Sequence, residues 1–87
     1  MPSSAANYQR SLQVLAQAEK LTPLTARGHF YRACSLAALA SVTAAPDEVK
    51  RLSQALQSYR VAARAPDQFR QDLTYISPKL LELLGVR

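Results

Sequence analysis

The fold is decided by residues 23–66, which read PLTARGHFYRACSLAALASVTAAPDEVKRLSQALQSYRVAARAP. A proline opens this stretch, a second stands at position 46, and a third closes it. Proline fits the first turn of a helix, and it pushes the residue before it out of the helical region of backbone space. Each proline therefore ends one helix and begins the next, which predicts two helices over about residues 23–44 and 47–63.

The first of these two helices is predicted to be the central helix of the fold. Its large apolar residues share no single stripe, and they are Leu24, Phe30, Tyr31, Leu36, Leu39 and Val42. A helix that is apolar nearly all round is covered by its neighbours on several sides. Ala33, Ala37 and Ala40 add an edge of small residues where another helix can approach closely.

The second helix has the more regular pattern. One apolar face is made by Val49, Leu52, Leu56, Tyr59 and Ala63, with Ala55 and Ala62 at its margin. Because residues at these spacings share one side of a helix, we expect this face to be the one that is turned toward the core.

The same pattern predicts three further helices, over about residues 4–20, 66–73 and 78–84. In the first, Tyr8, Leu12, Val14 and Leu15 lie toward one side. The chain shows no strand alternation and no hairpin-type turn dipeptide. The sequence therefore predicts an all-α fold, a compact bundle of four to five short antiparallel helices that forms one domain over residues 1–87.

The ends of these helices carry their own signals. The hydroxyls of Thr22 and Ser77 precede prolines and are placed to cap the helices that follow. Gly85 suits the left-handed conformation that commonly ends a helix.

Composition limits the class of protein. Eleven Lys and Arg against six Asp and Glu give a formal net charge of +5, which favours an acidic partner. The lone Cys34 forms no intrachain disulfide, and the first 20 residues lack the features of a secretory signal. The longest apolar stretch, residues 33–45, is shorter than the roughly 20 residues that cross a bilayer. We therefore expect a cytoplasmic protein with no membrane span.

Side chains for catalysis or metal binding are too few. The chain has one His and one Cys, and helical geometry turns His29 and Cys34 about 140° apart. We expect a partly buried His29 and an inert Cys34 in the core. No glycine-rich loop is present to hold a phosphate group. The prediction is a protein that is not an enzyme and that has no cofactor and no metal.

Basic side chains are concentrated in the middle of the chain, where residues 27–64 carry a net +4 of the total +5. On the second central helix, Lys50, Ser53, Gln57, Arg60 and Arg64 recur at spacings of three and four residues, which aligns them in one strip. The candidate contacts to a partner are Lys50, Gln57, Arg60 and Arg64, together with Arg27 and Arg32 of the preceding helix.

Three interpretations of this strip stay open. It is a solvated helix face, a contact to an acidic protein surface, or a contact to the phosphates of a nucleic acid. Asp47 and Glu48 at the start of the same helix repel phosphate, which counts against DNA recognition.

The last predicted helix is very apolar for its length. Leu80, Leu83 and Leu84 have the spacing of an LxxLL-type helix, which docks in the groove of a partner. The alternatives are that these leucines dock the helix on the chain's own core or support self-association into a homo-oligomer.

Small and aromatic residues recur at related positions of the two central helices. On the first they are Phe30, Tyr31, Ala33, Cys34, Leu36 and Ala37, and on and after the second they are Ala55, Tyr59, Ala62 and Pro66. Over about half of its length the chain thereby resembles a tetratricopeptide-type helical hairpin. The resemblance implies that Ala33, Ala55 and Ala62 are small packing positions, that Tyr59 is the aromatic one, and that the protein is a scaffold for binding other proteins.

The leading hypothesis is a non-enzymatic protein–protein interaction module, an adaptor, chaperone-like factor or regulatory subunit that acts through its helix faces. A core this small benefits from a partner, because domains of under about 70–80 residues gain little stability from one core alone, and this chain of 87 residues is only slightly longer. The alternative is a small basic nucleic-acid-binding protein that uses Lys50, Arg60 and Arg64.

Overall fold

The computed structural model describes residues 4–86 of the 87-residue chain, so the ends of the predicted domain lie outside the described residues. The described part consists of α1 (Ser4–Leu21), α2 (Ala26–Ser41), α3 (Asp47–Ala62) and α4 (Pro78–Leu83), with two short 3-10 helices, Pro66–Gln68 and Gln71–Tyr75, between α3 and α4. No residue in the range 4–86 is in a β-strand. The predicted all-α fold is confirmed.

The chain forms a compact bundle. The radius of gyration of the Cα atoms is 12.3 Å, close to the about 12 Å expected of a folded domain of this length. The connections between α1 and α2, residues 22–25, and between α2 and α3, residues 42–46, are four and five residues long, a length that is typical of antiparallel neighbours. The predicted compact helical bundle is confirmed.

The central position of α2 is also confirmed. This helix packs against α1, α3, α4 and the first 3-10 helix, and its most extensive contact is with α3. Its Phe30 is fully buried and stacks on Phe69, with ring centroids 4.4 Å apart and planes 7° from parallel. Tyr59 of α3 meets both rings edge-on, at centroid distances of 6.4 and 6.3 Å. This aromatic cluster connects α2, α3 and the segment that follows α3.

The face of α3 that the apolar pattern marks is buried only at one margin, where Ala55, Tyr59 and Ala62 meet the core. The buried residues of α3 are Ala55 and Ala62, both at 0% exposure, whereas Val49 is 68% and Leu56 38% exposed. The buried face is thus turned by roughly 90° around the helix axis from the face that the apolar pattern marks. Small residues on both sides explain this orientation, because Ala33 and Ala37 of α2 lie in the same core cluster and permit a close approach of the two helices. Close approach increases the number of favourable van der Waals contacts.

The ends of α2 differ from the prediction. The helix begins at Ala26 rather than Pro23 and ends at Ser41 rather than near residue 44. Its N-terminus is capped by Thr25, not Thr22, since the Thr25 hydroxyl accepts a hydrogen bond of 3.1 Å from the amide of Gly28. A second acceptor comes from far along the chain. The side-chain oxygen of Gln68 accepts a hydrogen bond of 3.0 Å from the backbone amide of Ala26.

Three details of the remaining segments also differ from expectation, and one agrees with it. The helix predicted over residues 66–73 is a pair of 3-10 helices, and the Ser77 side chain makes no capping hydrogen bond. On α1, Tyr8, Leu12 and Leu15 are partly buried, but Val14 is 61% exposed. The predicted helix end at Gly85 is confirmed, because this residue adopts a φ of 78° that other residues rarely tolerate.

Candidate functional site

The first candidate arginine, Arg27, is held within the chain. Its Nε and Nη2 atoms donate to the two carboxylate oxygens of Asp72 at 2.9 and 3.0 Å, and the Tyr31 hydroxyl donates to the same carboxylate at 2.8 Å. We call this set of three side chains the Asp72 clasp. It ties the first turns of α2 to the second 3-10 helix. The hydrogen bonds from Arg27, and next those from Tyr31, lower the pKa of Asp72.

The second candidate arginine, Arg32, is also paired internally. Its two terminal nitrogens lie 3.0 and 3.4 Å from the carboxylate oxygens of Glu19, which connects α2 to α1. The hydrogen bonds from Arg32 lower the pKa of Glu19. Both α2 arginines therefore have an anionic partner within the chain.

The cations of α3 are placed differently. All five residues of the predicted strip, Lys50, Ser53, Gln57, Arg60 and Arg64, are exposed. Arg64 lies in the turn that follows α3, and the four strip residues on α3 itself are centred, at 100° per residue, about 180° around the helix from Ala55 and Ala62. Within residues 4–86, none of the three cations of the strip forms an ion pair. We call this surface, together with the apolar residues on its border, the outer face of α3.

The apolar border of the outer face is a row at seven-residue spacing. Val49, Leu56 and Ala63 are all exposed, and Leu52, one turn from both Val49 and Leu56, is partly buried. These are the residues that the sequence pattern assigns to the core. Beside Leu56, a shallow hollow of about 190 Å³ is lined by Ser53, Leu56, Gln57 and Arg60. Apolar surface and unpaired positive charge therefore adjoin on one side of one helix.

The three candidate leucines of α4 are largely used by the core. Leu84 is 2% exposed, and Leu80 packs against the core cluster. Leu83 is half-buried and lines a hollow of about 200 Å³ between α4 and α3, which it shares with Leu52, Lys79 and Glu48, among others. Of the three interpretations of this helix, the burial of Leu80 and Leu84 agrees with docking on the chain's own core.

Cys34 and His29 have the surroundings that were expected of them. Cys34 is 6% exposed, and burial raises the pKa of its thiol to about 12. Because the thiolate is the reactive form of cysteine, this side chain is a poor nucleophile at neutral pH. His29 is partly buried. No three His, Cys, Asp or Glu side chains in the range 4–86 come close enough together to hold a metal ion.

Another concave surface lies next to α2, and no residue of α3 lines it. A hollow of about 460 Å³ between α1, α2 and the segment before α4 is bordered by Tyr8, Tyr31, Tyr75, Ile76 and Leu80, with Cys34 and Ser35 among its other lining residues. The Ser35 hydroxyl donates to Ser11 across it at 3.2 Å. None of the residues within 4–86 that line this hollow is charged.

Sequence reasoning missed two features of this site. The partner of Arg27 lies 45 residues away, and no local pattern marks such a pair. The exposure of the Val49–Leu56–Ala63 row follows from the orientation of α3, for which the alanines at positions 55 and 62 were the available signal. Those alanines, with Ala33 and Tyr59, are the positions that the tetratricopeptide resemblance selects, although membership of that family stays a prediction.

Comparison of the chain with protein-family models, with characterised proteins and with solved structures gives no match. Between residues 4 and 86, no helix has the length and apolar character needed to cross a membrane.

Proposed function

We propose that this protein is a non-enzymatic protein–protein interaction module, an adaptor, chaperone-like factor or regulatory subunit, and that the outer face of α3 is its contact surface. One observation carries the proposal: exposed Val49 and Leu56 lie beside Lys50, Arg60 and Arg64, whose charges no residue in the range 4–86 neutralises. An aliphatic row bordered by free cations is costly to leave in water and is suited to burial against a second protein.

The division of the arginines supports this assignment. Arg27 and Arg32 are compensated by Asp72 and Glu19, so the net positive charge of the chain is expressed elsewhere. On α3 the cations stand about 180° from the packed face, which leaves them fully accessible to a partner. We place the module in the cytoplasm, because its single cysteine is free and buried and a reducing compartment suits such a residue.

Nucleic-acid binding is the second candidate, and the spacing of Lys50, Arg60 and Arg64 along one strip favours it. Two features of the same helix favour protein instead. Asp47 and Glu48 occupy its first turn, and the aliphatic row adds nothing to phosphate contacts.

Site-specific photo-cross-linking tests the proposed function. A photoreactive amino acid replaces Ser53 on the outer face of α3 or, as the control, Gln13 on the exposed side of α1, in cells that make the protein. We expect position 53 to give a discrete cross-linked protein that position 13 does not give. The cross-linked protein is identified by mass spectrometry, purified and tested for direct binding.

Charge reversal then decides whether the contact uses the outer face. Arg60→Glu is expected to weaken binding of the purified partner by more than tenfold, and Arg10→Glu, the same change on exposed α1, to leave it unaltered. Cross-links that form from position 13 but not from position 53 contradict the proposal. Salt-sensitive binding of DNA or RNA that survives Leu56→Ser but not Arg60→Glu favours the second candidate.

A further inference from the structure

We propose that the partner docked on the outer face of α3 is an acidic amphipathic helix of a different protein, which packs lengthwise along the Val49–Leu56–Ala63 row. This inference rests on the proposed function and names the chemistry of its partner. Three observations carry it: the spacing of the exposed row, the position of the cations relative to it, and the charges of the chain's own helices.

The spacing of the row points to a helix as the occupant. Val49, Leu56 and Ala63 are seven residues apart, and Leu52 and Tyr59 stand three residues after Val49 and Leu56. This 3–4 alternation is the seam of a helix that pairs with another helix, since apolar residues at such positions insert between side chains of a facing helix. In this fold Tyr59 is used by the core and Leu52 is partly buried, so one side of the seam is still uncovered.

The row extends along most of α3. Fourteen residues separate Val49 from Ala63, which corresponds to about 21 Å along the helix axis. Successive members of the row are about 10 Å apart, the distance over which a facing helix presents its own apolar side chains once every two turns. The hollow beside Leu56, lined also by the polar Ser53, Gln57 and Arg60, lies at the middle of the row, where a partner can contact both the row and its polar flank.

The cations specify carboxylates beside those apolar residues. Ser53 and Arg60 follow Val49 and Leu56 by four residues and so flank the row, the place where paired helices form ion pairs. Lys50 and Arg64 lie one residue after Val49 and Ala63, on the same side. On the other side, the hollow shared with α4 contains Lys79 but also Glu48. The uncompensated positive charge is therefore concentrated toward Arg60 and Arg64, and the carboxylates of the partner belong opposite that end.

A second copy of this chain does not supply such a helix. The residues of α1 and α3 sum to a net charge of +1 each, those of α2 to +2, and those of α4 to zero. None of the four described helices is acidic, so self-pairing along the row sets like charges against each other. Charge complementarity therefore selects a different, acidic chain.

Designed peptides test this inference on the intact protein. The probe is a 21-residue helical peptide with Leu at the 3–4 seam positions and Glu beside them, a pattern whose like charges hinder its own association. Three matched peptides have Lys in place of Glu, Ser in place of Leu, or a central proline that breaks the helix. We expect only the first to bind, with an affinity that falls as salt increases.

Matched variants of the protein locate the contact. Val49→Asp and Arg60→Glu are each expected to weaken binding of the Glu peptide by more than tenfold. Val14→Asp and Arg10→Glu make the same changes at exposed positions of α1 and are expected to leave binding within twofold. A variant with Lys50, Arg60 and Arg64 all replaced by Glu is expected to lose the Glu peptide and gain the Lys peptide. Thermal unfolding confirms that each variant is folded.

The outcomes separate this inference from the proposed function. Equal binding of the Glu and Lys peptides, binding of the proline peptide, or binding that Val49→Asp does not weaken overturns the acidic helix. If the cross-linked partner from position 53 binds while none of the peptides does, the acidic helix is wrong and the interaction module stands. If no peptide binds and single-stranded DNA binds in a way that Arg60→Glu abolishes, both are wrong. Concentration-dependent dimerisation that Val49→Asp abolishes identifies a second copy as the occupant and also overturns the inference.

Discussion

The two sides of α3 reverse the usual distribution of side-chain size. Its fully buried residues are Ala55 and Ala62, with the partly buried Tyr59 beside them, while its outer side exposes the aliphatic Val49 and Leu56. The difference teaches that the shape of the neighbouring helix, rather than the hydrophobicity of each side chain, decides which side of a helix is buried. Where two alanine surfaces fit closely, bulky apolar residues are left outside, and they are then available to a partner.

The largest expected effect is a difference in stability between two Leu→Ala variants, and it tests the orientation of α3. Leu81 is fully buried and Leu56 is 38% exposed, so the same substitution has unequal consequences at the two positions. Leu81→Ala is expected to lower the free energy of unfolding by about 2–5 kcal/mol, because it leaves a cavity. Leu56→Ala is expected to cost about 1 kcal/mol or less. Urea denaturation measures both, and equal losses contradict the observed orientation.

The next largest effect is expected from the opposite change, in which leucine replaces alanine. Ala55→Leu adds bulk where α3 meets α2 with no free space and is expected to cost about 1–3 kcal/mol of unfolding free energy. Ala63→Leu makes the same change on the exposed row and is expected to stay within about 0.5 kcal/mol. Thermal or urea unfolding of the two variants gives the comparison. If Ala55→Leu leaves the free energy of unfolding unchanged while Ala63→Leu lowers it, the Val49–Leu56–Ala63 row is buried and the observed orientation of α3 is contradicted.

The dependence of stability on pH distinguishes the charges that are paired within the chain from those that are not. The folded-state pKa of Asp72 lies below its ordinary value, so the Asp72 clasp stabilises the fold above pH of about 4 and is lost as pH falls through the depressed pKa. We expect Asp72→Asn to be less stable than the original chain at pH 7 and to lose less stability on further acidification. Denaturation at a series of pH values measures the difference.

The control for acidification is the second internal pair. Glu19 also has a lowered pKa, caused first by its hydrogen bonds to Arg32, so Glu19→Gln removes a contribution of the same sign. The variant with both substitutions is expected to have the flattest dependence on pH. An unchanged acid profile in Asp72→Asn contradicts the role assigned to the clasp.

The smallest effect concerns the free cations themselves. Arg60→Gln and Arg64→Gln remove charges that pair with no residue in the range 4–86, and each is expected to change the free energy of unfolding by no more than about 0.5 kcal/mol. Arg60 retains a small favourable interaction with the C-terminal end of the α3 dipole. A large loss in either variant, measured by urea denaturation, shows that the arginine has a structural partner.

Local patterns in the sequence predict much of the fold. Proline positions give the order of the helices, although Leu24 and Thr25 separate Pro23 from the start of α2 because Thr25 and Gln68 supply the caps. The nearly uniform apolar surface of α2 identifies it as the central helix. These features depend on residues near one another in the sequence, which is why they can be recognised without coordinates.

The candidate site depends on contacts between distant residues and was predicted only in part. The basic strip on α3 follows from helical periodicity and is exposed as expected. The pairing of Arg27 with Asp72 joins segments 45 residues apart, and the exposure of Val49 follows from alanine-to-alanine packing between two helices. Neither property is contained in a single helix, so periodicity alone cannot reveal it.

Thiol labelling tests the orientation of α3 most directly, with the buried Cys34 as an internal reference. Leu56→Cys and Ala55→Cys each add one cysteine to the chain, and the rate of reaction with a maleimide is followed by mass spectrometry. We predict that the cysteine at position 56 reacts nearly as fast as a free thiol, whereas the one at position 55 is protected to the same degree as Cys34. Rapid labelling at position 55 with protection at position 56 would place the Val49–Leu56–Ala63 row in the core and remove the proposed docking surface.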